Sequence, residues 1–291
     1  MSAALVQYLL SGLTVGSIYA LVALGFTIIF NASHVINFAQ GEFVMIGGMS
    51  AVSLVALGVP LPLAIPLAIA AGVLVGVILE KIAVDSARGA SVITLIIITI
   101  GASILLRGLA SLVWDKNLHA LPAFSGDQPI AFLGASLTSQ SLWVIGAGAL
   151  LVLATAWFFN RTITGKAMLA TSYNPLAASL VGIDTRRVLM LAFGLSAGLG
   201  ATAGILTAPI TLTSYDVGVL LGLKGFAAAV LGGLGSGVGA VVGGLSIGLI
   251  EALSSGYISS AYKDVVAFVV LLLVLFFLPG GLFGRASAER V

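Results

Sequence analysis

The chain contains no cysteine and few charged side chains, and each of these two features excludes certain kinds of site or classes of protein. Without cysteine among its 291 residues it has no disulfide, no thiolate metal site and no thiol nucleophile. Its two histidines, His34 and His119, are too far apart in sequence to form a metal cluster by themselves. Only 8% of the residues are charged, against about 25% in soluble domains. With 60% hydrophobic residues, the composition predicts a polytopic membrane protein. We expect no nucleic-acid partner, and the net charge of +2 carries no information about one, because the small basic excess belongs to the positive-inside pattern.

Nine apolar segments can be drawn along what we interpret as a single domain, 1–291. Most are close to the roughly 20 residues that cross about 30 Å of hydrocarbon. Lipid offers no hydrogen bonds to a free backbone, so these segments are expected to be helical. The predicted fold is an all-α transmembrane bundle of eight or nine spans. The segments are 5–30, 43–59, 62–80, 92–113, 140–159, 188–208, 218–234, 237–255 and 264–279.

Lysine and arginine indicate the orientation of the spans. Eight of the twelve lie in three regions, Glu80–Arg88, 160–187 and the tail after Pro279. The positive-inside rule places these regions and the C-terminus in the cytosol. The N-terminal segment has no charged side chain, so its side stays open. If 43–59 spans, the N-terminus is outside and there are nine spans. If 43–59 is re-entrant, there are eight spans and the N-terminus is inside.

A polar run, NASHVINFAQGE, separates the first two apolar segments. Polar side chains at membrane depth are costly and usually face a cavity or one another, and broken helices often line a substrate path. We therefore predict that Asn31, Asn37, Gln40 and Glu42 line such a path, with an ordinary interfacial loop as the alternative. Glu251 is the one carboxylate well inside an apolar run. It is a fifth candidate, although an interfacial position near two serines would also explain it.

Two basic residues fall inside apolar segments, and neither indicates catalysis. Arg107 lies near the outer end of its segment and is expected to snorkel to the headgroups, while Lys224 either snorkels or faces the bundle. No spacing suits a nucleophile and its base, so we predict no catalytic residue. A nucleotide site is also not predicted, because Gly165-Lys166 is followed by alanine and lacks the upstream glycine of a P-loop.

The central polar region, 160–187, contains signals for a short helix. Asn174 can cap it with Pro175 in the first turn, and Gly182 can end it. A short amphipathic helix in a basic loop suits contact with another protein, and a solvated loop that only marks the cytosolic side is the alternative. The apolar face of this predicted helix comprises Leu176, Ala177, Leu180 and Val181.

The chain resembles a known family over nearly its whole length. Four stretches carry much of this resemblance. They are Gly12–Phe30, Ile36–Glu42 (INFAQGE), Lys224–Gly248 (KGFAAAVLGGLGSGVGAVVGGLSIG) and Glu251–Gly280. They resemble LivH-type permeases of the branched-chain amino acid (hydrophobic amino acid uptake) ABC transporter family. The second and third stretches together are specific, whereas either one alone would only be suggestive.

The resemblance implies a bacterial inner-membrane transport subunit that is not itself an enzyme. Such a subunit works with a second permease, two cytosolic ATPase subunits and a periplasmic solute-binding protein. ATP would be bound by the partners, so the chain would need no cofactor. The implied solute is an amino acid, foremost a branched-chain one, but family members also carry urea, short amides or aromatic acids. An ATP-independent secondary transporter with Glu251 as its coupling carboxylate is the alternative from another class.

The central loop matches the place of the family's ATPase-coupling helix, which has the form G-R-A…A…G-I. One departure is Lys166 where arginine is usual, which keeps the charge but loses the bidentate fork. A second is Gln40 where histidine is common, and a shift in specificity would follow if this position touches the solute. The residues that the resemblance assigns to coupling are Gly165, Lys166, Pro175, Ala177, Leu180, Gly182, Ile183 and Asp184.

Overall fold

The structure, a computed structural model, describes residues 3–87, 89–126, 128–132 and 134–284. In this part of the chain, seven apolar helical segments are long enough to cross a membrane: Ala3–Ser33, Leu61–Ala87, Val92–Val113, Ser139–Arg161, Thr185–Thr211, Gly237–Tyr257 and Ser260–Phe277. Two further apolar helices, α2 and α9, have 17 and 16 residues. The helices are α1 (Ala3–Ser33), α2 (Gln40–Ala56), α3 (Leu61–Leu79), α4 (Val92–Val113), α5 (Ser139–Arg161), α6 (Ile163–Tyr173), α7 (Pro175–Leu180), α8 (Thr185–Thr211), α9 (Val217–Gly232), α10 (Gly237–Tyr257) and α11 (Lys263–Phe277).

Contacts between the loops define two ends of the bundle. At the first, which we call the hairpin end, Gln7 at the start of α1 hydrogen-bonds to Ser136 in a β-hairpin. At the opposite end, the Asn31 side chain donates to the Gly235 carbonyl at 3.0 Å. We call this the basic end, because five of the described basic residues lie on elements that meet there: Lys81, Arg161, Lys166, Arg186 and Arg187. Arg88, Arg285 and Arg290, which also support the predicted orientation, lie outside the described residues.

Small residues allow the central helices to pack with their backbones in contact. A Cβ atom added to Gly16 of α1 would lie 2.9 Å from the Leu245 Cα of α10, and one added to Gly248 would lie 2.3 Å from the Gly16 nitrogen. Glycine at such positions is typical of tightly packed membrane helices. α1 is consequently the most buried of the seven long helices, and α8 is the next.

Two long helices end at a residue with left-handed backbone, and a short helix then returns into the bundle. His34 (φ 55°) follows α1 and Leu212 (φ 65°) follows α8. Gln40 begins α2 and hydrogen-bonds to Ser196 of α8, which also contacts the carbonyl of Gly25. Gly25 lies eight residues before the end of α1, or about 12 Å along its axis. The polar run between α1 and α2 is therefore folded back into the bundle, and α2 begins three residues before the predicted segment 43–59.

Two local elements were not predicted from the sequence. The first is an antiparallel hairpin in which β1 (Pro129–Phe132) pairs with β2 (Ala135–Thr138), with Ile130 opposite Leu137. The second is α6, which makes the first half of the central loop helical as well. Its start is capped by the hydroxyl of Thr162, which accepts from the Gly165 N–H at 2.9 Å. Both elements are short, and the bundle is all-α as predicted.

Candidate functional site

A cavity of about 220 Å³ lies between α1, α2, α4 and α9. Its wall is mostly apolar, and Phe26, Phe38 and Phe226 form one side of it. Of the described residues that line it, Glu42 and Arg107 are the two that carry a charge. Ser103, which also lines it, is the twelfth of the 22 residues of α4, so the cavity lies near mid-depth in the bundle. We call this cavity the Glu42 pocket.

Glu42 lies in the first turn of α2 and is almost fully buried, with 1% of its surface exposed. Its Oε1 atom accepts a hydrogen bond from the Ser103 hydroxyl at 2.7 Å. Its Oε2 atom is also buried but has no hydrogen-bond partner within the described residues. The helix N-terminus favours a negative charge at this position. Even so, a buried oxygen without a donor is costly, and this one faces a site where a ligand could supply the donor.

Arg107 belongs to the same pocket, which the sequence did not predict. It follows Ser103 by four residues on α4, so the two side chains share one face of the helix. Instead of only reaching toward headgroups, the half-buried Arg107 lines the cavity that contains Glu42. The two residues are 65 positions apart in sequence, and no local pattern connects them.

Glycine contacts fix the position of α9 beside Glu42. A Cβ atom added to Gly41 would lie 2.1 Å from the carbonyl oxygen of Gly218, and one added to Gly218 would lie 2.4 Å from the carbonyl oxygen of Gly41. A Cβ atom added to Gly222 would lie 2.9 Å from the Cα atom of Gly41. The backbones of α2 and α9 therefore touch directly, and this contact sets the width of the pocket.

Asn37 and Gln40, two other predicted path residues, support the helix break. Gln40 is fully buried, its Nε2 donates to the Ser196 carbonyl at 3.2 Å, and the Ser196 hydroxyl lies 2.5 Å from its Oε1. Asn37 accepts a hydrogen bond from the Ala39 N–H at 3.1 Å through its side-chain oxygen. Its Nδ2 is buried without a partner among the described residues. These side chains hold the backbone that leads into Glu42.

Asn31 lies elsewhere, at a cavity of about 650 Å³ that is lined by residues at the basic end. Phe30, His34 and Tyr173 share this lining. It is the larger of the two cavities, but no aspartate, glutamate, lysine or arginine is among its described lining residues. The Glu42 pocket therefore has the more specific chemistry, although it is smaller.

Glu251, the fifth predicted path residue, is part of a buried ionic cluster. Its carboxylate oxygens both lie 2.9 Å from the Nζ of Lys224, and the Tyr19 hydroxyl donates to it at 2.8 Å. Asp264 at the start of α11 also contacts Lys224, at 2.5 Å. The cluster joins α1, α9, α10 and α11. Lys224 is thus turned into the bundle, which the sequence left open, and Glu251 has its charge matched there.

The central loop forms a separate exposed site at the basic end. The Asn174 side chain caps α7 by accepting from the Ala177 N–H at 3.0 Å, and Pro175 occupies its first position. Gly182 follows with a positive φ of 88°, which favours glycine. Asp184 then caps α8 by accepting from the backbone N–H of Arg186. The helix and its stop are where the sequence predicted them.

The two leucines of α7 point away from the protein, whereas Ala178 is buried. Leu176 is 71% exposed and Leu180 is 80% exposed, and Lys166 on α6 is exposed as well. Gly165 is instead buried, and a Cβ atom there would lie 2.2 Å from the carbonyl oxygen of Phe158. Gly165 therefore lets α6 pack against the end of α5, whereas α7 presents a surface for another molecule.

A bundle of apolar helices, with broken helices around a charged pocket at mid-depth, defines a membrane permease. Over residues 8–275 the chain matches the family described as "Branched-chain amino acid transport system / permease component", and it belongs to that family. It is 37% identical over 302 residues to "High-affinity branched-chain amino acid transport system permease protein LivH" from Escherichia coli (strain K12), a match that covers 98% of this chain and 97% of that protein.

Further comparisons agree on family and fold. The chain is 35% identical over 299 residues to "High-affinity branched-chain amino acid transport system permease protein BraD" from Pseudomonas aeruginosa, which covers 98% of this chain and 97% of the relative. The solved structure titled "PsaBC from Streptococcus pneumoniae in complex with Fab" matches with a TM-score of 0.50 at 17% identity, covering 95% of this chain and 91% of that chain. The first comparison confirms the family resemblance, and the second supports the fold alone.

Proposed function

We propose that the chain is the membrane-spanning permease subunit of a bacterial ATP-driven importer for branched-chain amino acids. The observation that carries this proposal is the Glu42 pocket, a mostly apolar cavity at mid-depth with one unsatisfied carboxylate oxygen. Such a site suits a small solute that is apolar at one end and polar at the other. Relatives of nearly the same length are named as branched-chain amino acid permeases, which supports the choice of solute.

The proposed assembly also contains a second permease, two ATPase subunits and a periplasmic solute-binding protein, in the inner membrane. The ATPases contact α7, because Leu176 and Leu180 expose apolar surface at the basic end, which is the cytosolic end under the positive-inside rule. ATP is bound by these partners, so the chain needs no cofactor. The solute-binding protein then delivers solute at the hairpin end, and the start of α1 faces outside.

The connections between α7 and the Glu42 pocket would couple the ATPases to solute transport. α7 leads into α8 through the Asp184 cap, and Ser196 of α8 contacts both Gln40 and Gly25. A shift of α8 would therefore move the start of α2, where Glu42 follows Gln40 by two residues. Two arrangements of these helices, one open to each side, provide the alternating access that import requires. Glu251 has its charge matched by Lys224, which gives no support to an ion-coupled alternative.

The test is solute uptake by the complete complex in proteoliposomes. We expect leucine uptake only with ATP, the ATPases and the solute-binding protein present. Leu176→Asp with Leu180→Asp should prevent the ATPases from co-purifying and lower uptake by about tenfold or more, since a charged group in an apolar contact removes a binding hot spot. Leu118→Asp, which alters a leucine of similar exposure at the hairpin end, is the matched control for ATPase co-purification. Uptake driven by an ion gradient without any ATPase would contradict the proposal.

A further inference from the structure

We infer that the Glu42 pocket recognises its solute as a zwitterion, with Glu42 binding the α-ammonium group and Arg107 binding the α-carboxylate. The aliphatic side chain of the solute packs on the apolar wall. The inference deepens the proposed function and rests on it. It assigns a recognition site to the permease itself, in addition to any selection made by a solute-binding protein.

The Glu42 carboxylate provides half of the argument. One of its oxygens accepts from Ser103, which fixes the direction of the carboxylate, and the other is buried and has no donor among the described residues. An ammonium group carries three donors and a positive charge, so it satisfies both the oxygen and the charge. A neutral amide would satisfy the oxygen but leave the buried negative charge without an opposite charge in contact.

Arg107 provides the other half. It lines the same cavity as Glu42, yet among the described residues neither an ion pair nor a hydrogen bond joins the two side chains. Opposite charges in an apolar cavity would normally close on each other, since each is costly to bury alone. Here Ser103 holds the carboxylate, and Arg107 lies one helical turn farther along α4. A planar guanidinium binds a carboxylate with two parallel hydrogen bonds. The Glu42 and Arg107 side chains are therefore placed to bind a ligand that carries one positive and one negative charge.

The rest of the cavity matches a short aliphatic side chain. Phe226 packs against Phe26 and Phe38, with ring centroids 5.7 and 5.6 Å apart, and Ile100 and Ile104 face the same space. The volume of about 220 Å³ is below the roughly 300–1,000 Å³ of pockets for drug-sized ligands. A single small amino acid fits this size, and a peptide does not.

The experiment measures binding to the transporter complex in nanodiscs, without the solute-binding protein. The three ligands are leucine, 4-methylpentanoate, which lacks the ammonium group, and leucinamide, which lacks the carboxylate. We expect the wild-type complex to bind leucine about tenfold or more tightly than either analogue, as for the loss of one charge-assisted contact. Glu42→Gln should weaken leucine binding and leave 4-methylpentanoate binding unchanged. Arg107→Gln should weaken leucine binding and leave leucinamide binding unchanged.

Controls separate recognition from folding. Lys116→Gln removes an exposed positive charge at the hairpin end and should alter none of the three affinities. Arg107→Lys, which keeps the charge without the fork, should fall between wild type and Arg107→Gln. If Glu42→Gln does not assemble, the ligand preferences of the wild type and of the two Arg107 variants still decide the question.

The possible failures are distinguishable. The inference is overturned if each variant weakens all three ligands equally, if neither variant alters leucine binding, or if the wild type binds the three ligands equally well. A wild-type complex that binds none of them but still imports leucine with ATP also overturns it and leaves the proposed function intact. A complete complex that does not import leucine overturns the proposed function instead.

Discussion

The Nζ atom of Lys224 lies 2.9 Å from Oε1 of Glu251, and both side chains are buried, with 3% and 6% of their surfaces exposed. Lys224 is on α9, whose opposite side contributes Gly218, Gly222 and Phe226 to the Glu42 pocket. Because Glu251 is on α10, the ion pair fixes α9 against the helices behind it. The cluster therefore supports the pocket without lining it.

This arrangement predicts unequal effects of two substitutions. Lys224→Met removes the cation that Glu251 and Asp264 share and leaves Glu251 with the more exposed Lys263, 3.7 Å away, so we expect a loss of about 3–5 kcal/mol in stability. Glu251→Gln leaves Lys224 in contact with Asp264 and should cost clearly less. Thermal unfolding of the detergent-solubilised complex measures both, with Lys116→Gln as an exposed control. Equal destabilisation by the two variants would show that Lys224 is not the centre of the cluster.

The contact between α2 and α9 predicts a steric effect on the pocket. Gly41→Ala would place a Cβ atom 2.1 Å from the carbonyl oxygen of Gly218, so the two helices must separate. We expect about 1–3 kcal/mol of destabilisation, as for overpacked cores, together with weaker leucine binding. Gly146→Ala on α5 is the matched control, since a Cβ atom there meets nothing within 4 Å. If an assembled Gly41→Ala complex binds leucine as tightly as the wild type, the contact between α2 and α9 does not determine the shape of the Glu42 pocket.

At the hairpin end, a hydrogen bond ties α4 to α2. The indole N–H of Trp114 donates to the Ser53 hydroxyl at 2.7 Å, directly beyond the end of α4. Trp114→Phe and Ser53→Ala each remove this bond, and each should cost about 1 kcal/mol in the free energy of unfolding. The double variant should cost less than the sum of the two, since both single changes remove the same interaction. Additive effects in thermal unfolding would argue against the bond.

The sequence predicted features that depend on neighbouring residues. The Asn174 cap, Pro175 and Gly182 act within a few positions, and α7 begins and ends accordingly. The polar run before α2 was recognised because its side chains interrupt an apolar pattern. The sequence did not predict that Arg107 and Glu42 share a pocket or that Lys224 and Glu251 form an ion pair. Those pairings depend on how the helices pack against one another, and this packing cannot be read from the spacing of residues along the chain.

Gln40 gives a final prediction, because two roles for it lead to different results. The sequence predicted that it lines the solute path, whereas the structure buries it between α1, α2 and α8 with Ser196 as its partner. If Gln40 positions the start of α2, Gln40→Ala should reduce stability and the rate of uptake and leave the ratio of leucine to isoleucine affinity unchanged.

Ser196→Ala should have a similar effect, and combining it with Gln40→Ala should add little because the two side chains act through one contact. Thermal unfolding and competition binding on the same preparations measure both quantities. Ser172→Ala, which alters a serine whose hydroxyl donates to the Leu169 carbonyl within its own helix, controls for the loss of a hydroxyl. A changed leucine-to-isoleucine ratio in Gln40→Ala, but not in Ser196→Ala, would instead place Gln40 in contact with the solute. The shift of α8 that couples ATP to transport would then act on the solute directly through Gln40, rather than through the position of Glu42.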